Sequence, residues 1–349
     1  FSVSYYQNEK CFIENRDRTG SEQMASIRDV AKRANVAACT VSRVLNGTAN
    51  VAPETRMKIE QAMKELNYIP NELARSMFKQ KAGIVAMLVP DIRHPYFSSL
   101  ARHIEDELYK NDCKLMLCST GDDPEREKEY MKILRSNIVD GVIMGVNNQK
   151  PEAYAEFGKP LVMLDYYVND EVPVVVSDHE MGGRLAAEEL LRSGCRYVLH
   201  IGSETDTDRV LSYKSHRALR ETLETNGIQT REVDIKWNSF DFQNYFEMAC
   251  LILEENPEID GIMAADMPAS AFLKAAVKLG KKIPEDFSVI AYDGTYVSRT
   301  NIMEITTIHQ QLHEIGNRAV DTILKLVDGE TPQERYITIP VELKKGNTT

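Results

Sequence analysis

The chain has 349 residues, 43% of them hydrophobic and 27% charged, with a formal net charge of −11. Its length predicts two or three domains with cores of their own. No run reaches the roughly 18 apolar residues that a membrane span needs, so a soluble protein without a membrane partner is expected.

The charge is unevenly spread. Residues 24 to 82 hold ten Lys or Arg against five acids, a net of +5, while residues 83 to 349 carry −15. Solubility needs only one sign, whereas a polyanion needs positive charge on the surface that meets it. Nucleic acid is therefore the first partner to consider for the head, a merely solvated helical head being the alternative.

Residues 1 to 23, ending in RDRTGSEQ, are polar and lack an apolar signal core. They read as a disordered leader or a translation-start artefact, with the functional protein expected to begin at Met24. SIRDVAKRANVA predicts a helix capped by Ser26, with Ile27, Val30 and Ala31 at helical spacing and Asn35 able to end it in the left-handed conformation. A second short helix follows over CTVSRVLN, stopped by Gly47, and two short helices joined by a tight turn make a helix-turn-helix. Val36, Val41, Val44 and Leu45 are expected inside, leaving Ala38, Cys39, Thr40, Ser42 and Arg43 outside. A third helix over APETRMKIEQAMKELNY has Pro53 in its first turn and Ile59, Met63 and Leu66 on one face. Such a unit can hold its second helix in a major groove, where Arg43 donates to guanine and small side chains reach thymine methyls.

TVSRVLN, T-R-x-K-I, LNYxPN and LARS, in this order between residues 40 and 76, resemble the LacI family of bacterial transcription regulators. The resemblance runs more weakly to the C-terminus. It implies that Ala38, Cys39 and Arg43 meet base edges, while Ser26, Thr40, Ser42, Asn46, Asn50, Thr55, Tyr68 and Asn71 meet phosphates, which fixes register without reading sequence. It also implies that residues 71 to 82, otherwise an ordinary linker, form a hinge helix when two copies meet over the minor groove, with Met77 as the apolar wedge and Ala74 beside it. The head departs from the family in the turn, where Asn35-Val36-Ala37 replaces Gly-Val-Ser. Ala37 removes a helix cap whose loss typically costs about 1 kcal/mol.

Beyond residue 83 the chain alternates short apolar runs with helical stretches. GIVAMLVP, KLMLCST, GVIMGV, PLVMLD, PVVVSD, YVLHIGS, DGIMAAD and FSVIAYD predict parallel strands covered on both faces, in two doubly wound subdomains with a cleft between them. The resemblance implies the same α/β fold, a periplasmic-binding-protein-like (type I) sensor over 83 to 349 behind an all-α head over 24 to 70, with crossovers near 177, 308 and 339. Ligands in such folds sit at the carboxyl ends of strands, where Asp91, Asp122, Asp165, Asp266 and Asp293 follow the apolar runs. Carboxylates accept hydrogen bonds from the vicinal hydroxyls of a sugar, and an aromatic ring such as Tyr96 or Phe97 in HPYF covers its C–H face; capping and core packing of the next helix is the alternative reading of those rings.

The resemblance puts His94, Tyr96, Asp165, Asp293 and Gln310 at or beside effector-contacting positions. Tyr167 and Trp237 are unspecific further candidates. The family's usual effector-gripping Arg is Ser215 here, with Lys214 and Arg217 as neighbours, and its usual Asn-Asp pair is Ala265-Asp266. Within the family, VSDHEMGGR and AYDGTYVSRTNIMEITTIHQ look most like sucrose-operon repressors, implying a sucrose or related fructoside effector.

Six cysteines at 11, 39, 113, 118, 195 and 250 form no CxxC pair and have no His at metal spacing, so reduced thiols in a cytoplasmic protein are expected. Seven scattered histidines, with no GxSxG elbow and no P-loop, give no basis for catalysis. The sequence thus predicts a sugar-responsive repressor without enzyme activity, cofactor or metal, acting as a homodimer, a tetramer being left open, on a pseudo-palindromic double-stranded operator. A corepressor-dependent repressor, an activator, or a solute-binding protein without DNA function are its rivals.

Overall fold

The computed structural model describes residues 25–46, 51–68, 81–136, 138–202, 208–235 and 242–349, the Asn46 side chain excepted. The chain divides into two compact units, Phe1–Lys79 and Gln80–Thr349.

The first unit contains α1 (Ile27–Ala34), α2 (Ala38–Asn46) and α3 (Pro53–Glu65). Ser26 and Asp29 form a capping box: the Ser26 hydroxyl accepts the Asp29 N–H at 3.3 Å, and the Asp29 carboxylate accepts the Ser26 N–H at 2.8 Å, which occupies donors that a helix start leaves open. Asn35 closes α1 at φ +53°, in the left-handed region that Asn tolerates. Val30, Ala31, Ala34, Val41, Ile59 and Ala62 form the buried centre, with Val36, Val44, Leu45, Met63, Leu66 and Tyr68 packed around it. An ion pair between Arg33 and Glu65 ties α1 to α3.

The second unit holds two six-stranded sheets. The first lobe contains β1 (Ile84–Val89), β2 (Lys114–Ser119), β3 (Gly141–Met144), β4 (Leu161–Leu164), β5 (Val174–Ser177) and β11 (Tyr336–Ile339), in the order β11-β5-β4-β3-β1-β2. The second contains β6 (Tyr197–Gly202), β7 (Gln229–Asp234), β8 (Gly261–Ala265), β9 (Ser288–Asp293), β10 (Thr306–Gln310) and β12 (Val341–Lys344), in the order β12-β10-β9-β8-β6-β7. All ladders are parallel except β10 with β12.

Helices cover both faces of each sheet, as parallel strands require. In the first lobe α4 (Pro95–Lys110) and α12 (Leu312–Val327) pack one face, through Leu100, Ile104, Ile315 and Ile323. The other is covered by α5 (Pro124–Leu134) and α6 (Pro151–Ala155), through Met131, Leu134 and Tyr154. The second lobe is enclosed by α7 (His179–Arg192) with α8 (Lys214–Thr225), and by α9 (Phe242–Glu255) with α10 (Asp266–Lys278); a single turn, α11 (Tyr296–Arg299), follows β9. The chain changes lobe after Ser177, after Gln310 and at Pro340, between β11 and β12.

Candidate functional site

On α2 the side chains of Cys39 and Arg43 are exposed, and Thr40 and Ser42 are half-buried. Ala38, expected outside, instead packs against the core of the head, because the start of α2 lies against α1 across a three-residue turn. The carbonyl of Ala37 accepts the N–H groups of Thr40 at 2.9 Å and Val41 at 3.3 Å, but its methyl offers no oxygen to the open donors of the first turn. Ser26 caps α1, Thr55 is half-buried in the first turn of α3, and Tyr68 packs on the core. Asn46 is the last residue of α2; Asn50, Asn71, Ala74 and Met77 lie outside the described residues.

In the second unit, residues from strand ends of both lobes line one cavity: Asp122 follows β2, Gly145 to Asn147 follow β3, Asp165 follows β4, Ala265 ends β8, and Asp293 ends β9. Its three carboxylates all have positive φ, +59° at Asp122, +54° at Asp165 and +124° at Asp293. The first two lie where Asp is tolerated, while Asp293 lies further out, in a conformation that costs of order 1–3 kcal/mol and has to be held by its surroundings.

What holds them is a web of side chains. Asp165 accepts the Tyr96 hydroxyl at 3.3 Å and pairs with His179 Nε2 at 2.9 Å, and His179 Nδ1 meets the Tyr292 hydroxyl at 2.9 Å. Gln310 donates to Asp293 at 2.8 Å and accepts the Ser177 hydroxyl at 2.7 Å, so Gln310 and Ser177, beside two of the three crossings, join the lobes. Asp266 does not line the cavity. Its carboxylate accepts the N–H groups of Gly294 at 3.3 Å and Thr295 at 2.6 Å and the Thr295 hydroxyl at 2.5 Å, pinning the turn after Asp293.

Burial pushes the carboxyls of both Asp293 and Asp266 upward, and Asp293 also feels the charge of Asp266. With three donors, Asp266 is the better site for the negative charge, and Asp293 the better site for a proton. Burial also lowers His94 to about 4 and His216 to about 4, so both face the cavity as neutral rings. His94 caps α4, its Nδ1 accepting the Tyr96 N–H at 3.2 Å. Phe97 does double duty: it lines the cavity, packs edge-on to Tyr96 with centroids 5.1 Å apart, and supports the first core.

His94, Tyr96, Phe97, Asp165, Asp293 and Gln310 are thus brought together. Lys214 and Arg217 are not: the Lys214 amine lies 3.4 Å from the Tyr336 hydroxyl, and Arg217 reaches Asp208 at 3.5 Å. Ser212, Ser215 and His216, on the neighbouring face of the same segment, meet the cavity instead. Tyr167 bonds Asp170 in an exposed loop, and Trp237 lies outside the described residues. The sequence reading missed His179, Tyr292 and His216. His179 lies two residues past the crossover strand β5, and the strand-end rule, extended to β5, finds it. Gly182 and Gly183 in α7 are the other signal: a Cβ at the first would strike Tyr292, and at the second the Ser215 carbonyl, so this close approach of α7 needs glycine.

The profile described as "Bacterial regulatory proteins, lacI family" matches residues 26–71, and "Periplasmic binding protein-like domain" matches 187–349. The ribose operon repressor of Halalkalibacterium halodurans is 34% identical, over 93% of this chain and 97% of that protein. The sucrose operon repressor of Streptococcus mutans is 32% identical, over 93% and 99%. Among solved structures, the lac repressor dimer bound to operator and the anti-inducer ONPF is similar with a TM-score of 0.82 and 26% identity, covering 93% of this chain and 99% of that one. A capped helix-turn-helix joined to a two-lobed sensor, with relatives this similar along nearly their whole length, leaves one conclusion: the chain belongs to the LacI family of bacterial regulatory proteins.

Proposed function

We propose that the protein is a cytoplasmic transcriptional repressor that binds a pseudo-palindromic operator as a homodimer and changes its operator affinity when a small neutral sugar enters the cavity. Relatives named as ribose and sucrose operon repressors support the class. The observation that carries the ligand chemistry is the cavity wall, which offers Asp122, Asp165 and Asp293 with Phe97 beside them and, among its described residues, no Lys or Arg. Carboxylates and a ring suit vicinal hydroxyls and a C–H face, whereas a phosphorylated sugar would meet negative charge with no cation to balance it.

In this reading a two-fold dimer presents α2 twice to two half-sites, with Arg43 donating to a guanine in each. Asp165 and Asp293 hold the sugar from the two lobes, so the ligand biases how the lobes meet. The coupling is reciprocal: a sugar that weakens operator binding is itself bound less tightly on operator.

The test is selection of a palindromic duplex from a randomised library, followed by fluorescence anisotropy of that duplex with ribose, sucrose, fructose and their phosphates. The expected result is a strong preference for the palindrome over random duplex, weakened by a neutral sugar and unchanged by its phosphate. No preference for any palindrome, with or without sugar, overturns the proposal. A sugar that tightens operator binding replaces induction with corepression.

A further inference from the structure

A second cluster of chemistry-bearing side chains lies in the second lobe, outside the web around Asp165. His200 on β6 and Glu232 on β7 are register partners of adjacent parallel strands, so they project to the same side of the sheet. His216 comes in from α8, its Nδ1 3.3 Å from His200 Nδ1. One ring nitrogen from each histidine and one Glu232 oxygen all lie within 4.8 Å of one another.

Packing accounts poorly for this arrangement. His200 is fully buried and its Nε2 has no hydrogen-bond partner. A leucine there would avoid stranding a polar nitrogen, and a buried unsatisfied group in a native core asks for a use. The His200–His216 contact gives that ring one partner, on its other nitrogen.

The third group is oriented as metal-binding carboxylates are. Glu232 Oε2 accepts the Tyr213 hydroxyl at 3.1 Å and lies 3.4 Å from Arg220 Nη1, contacts of the kind that fix a ligand's direction. Its Oε1 rests over Gly202, where a Cβ would come within 2.5 Å, so the carboxylate's place depends on that glycine.

We propose that His200, His216 and Glu232 bind one divalent transition-metal ion of the zinc class, at a site that shares His216 with the wall of the cavity. Three protein ligands leave one position of a tetrahedral ion for water or a ligand atom. Because His216 faces the cavity, the ion restrains a residue that the effector meets.

The experiment uses the full chain, stripped with a chelator and then titrated with zinc chloride by calorimetry and with cobalt chloride by absorption. One ion per chain is expected, with the ligand-field bands of four-coordinate cobalt and no thiolate charge-transfer band. His200→Gln and Glu232→Gln should each weaken binding at least tenfold. Should His200→Gln fail to fold, Glu232→Gln, on a part-exposed edge strand, still decides. A wild-type protein without the cobalt bands, a thiolate band marking binding at a cysteine such as Cys39, or equal affinity in wild type and both variants overturns the site.

Discussion

In the head, Cys39 and Arg43 stand in solvent on a nine-residue helix supported by six buried side chains; in the body, Asp293 and His179 work from inside a wall, each less than a tenth exposed. Exposed cations act on a partner that brings its own charge, through a field that salt screens. Buried carboxyls act at short range, and their strength depends on which neighbours hold the charge and which hold the proton. The difference predicts how each half responds to the same perturbation.

The largest separation should come from salt. Six to ten phosphate contacts cost roughly 10³–10⁵ in affinity between 50 and 200 mM salt, so operator binding by a dimer is expected to fall by about 10³ over that range. Sugar binding to the body should change by no more than about twofold. Parallel anisotropy and calorimetry series check both, and an equal slope for the two ligands would break the comparison.

Next is Arg43→Ala. A bidentate contact to guanine is worth about 1–3 kcal/mol, and a dimer loses two, so operator affinity should fall by roughly 10²-fold or more with relaxed preference at one base per half-site. The rise in melting temperature that sugar gives the body should be unaltered. A variant that loses both has Arg43 assigned to the wrong task.

Asp293→Asn tests the buried half. Asp293 has its carboxyl raised by burial and by Asp266, so the folded protein keeps a proton that the unfolded chain releases in the ordinary carboxylate range. Between those two values the folded state binds more protons, and stability therefore falls as pH rises through the window. Asn carries no such cost. The melting temperature of the variant relative to wild type should be lowest near pH 4 and climb toward pH 8, by a few degrees at about 2–4 °C per kcal/mol for a unit of this size. Sugar affinity should fall about tenfold at every pH. A difference that does not change with pH would mean that the proton sits on Asp266.

The same contrast explains what was legible in the sequence. Strands buried on both faces, such as β1, β3 and β9, are continuous apolar runs and predict themselves. β7, β11 and β12 do not, because QTREVD, YITI and VELK lie at sheet edges with alternating or exposed residues; β10, TTIHQ, is buried but polar, its threonines bonded rather than apolar. Among site residues, Asp165 and Asp293 follow from the strand-end rule and Gln310 from resemblance. Lys214 and Arg217 fail for a geometric reason: three residues apart they share one helix face, and spacing alone does not say which face meets the cavity. Ser215 and His216, on the face that does, replace the expected cation with neutral groups.

The smallest effect, Ala37→Ser, sharpens the comparison from the other side. The N-terminal turn of α2 begins at a residue whose carbonyl is used and whose side chain is silent, so the open N–H groups there look to solvent. A Ser oxygen supplies what the cap lacks and should stabilise the helix by up to about 1 kcal/mol. Because α2 carries Arg43, an exposed cation of the head, a firmer first turn costs less ordering on DNA, and operator affinity should rise by up to about fivefold with the salt slope unchanged, since no phosphate contact is added. A steeper salt slope would instead mean that the new hydroxyl itself touches a phosphate and draws a cation with it. No change in either quantity would mean that α2 is already as ordered without its cap as with one, and that Thr40, one turn along, serves in its place.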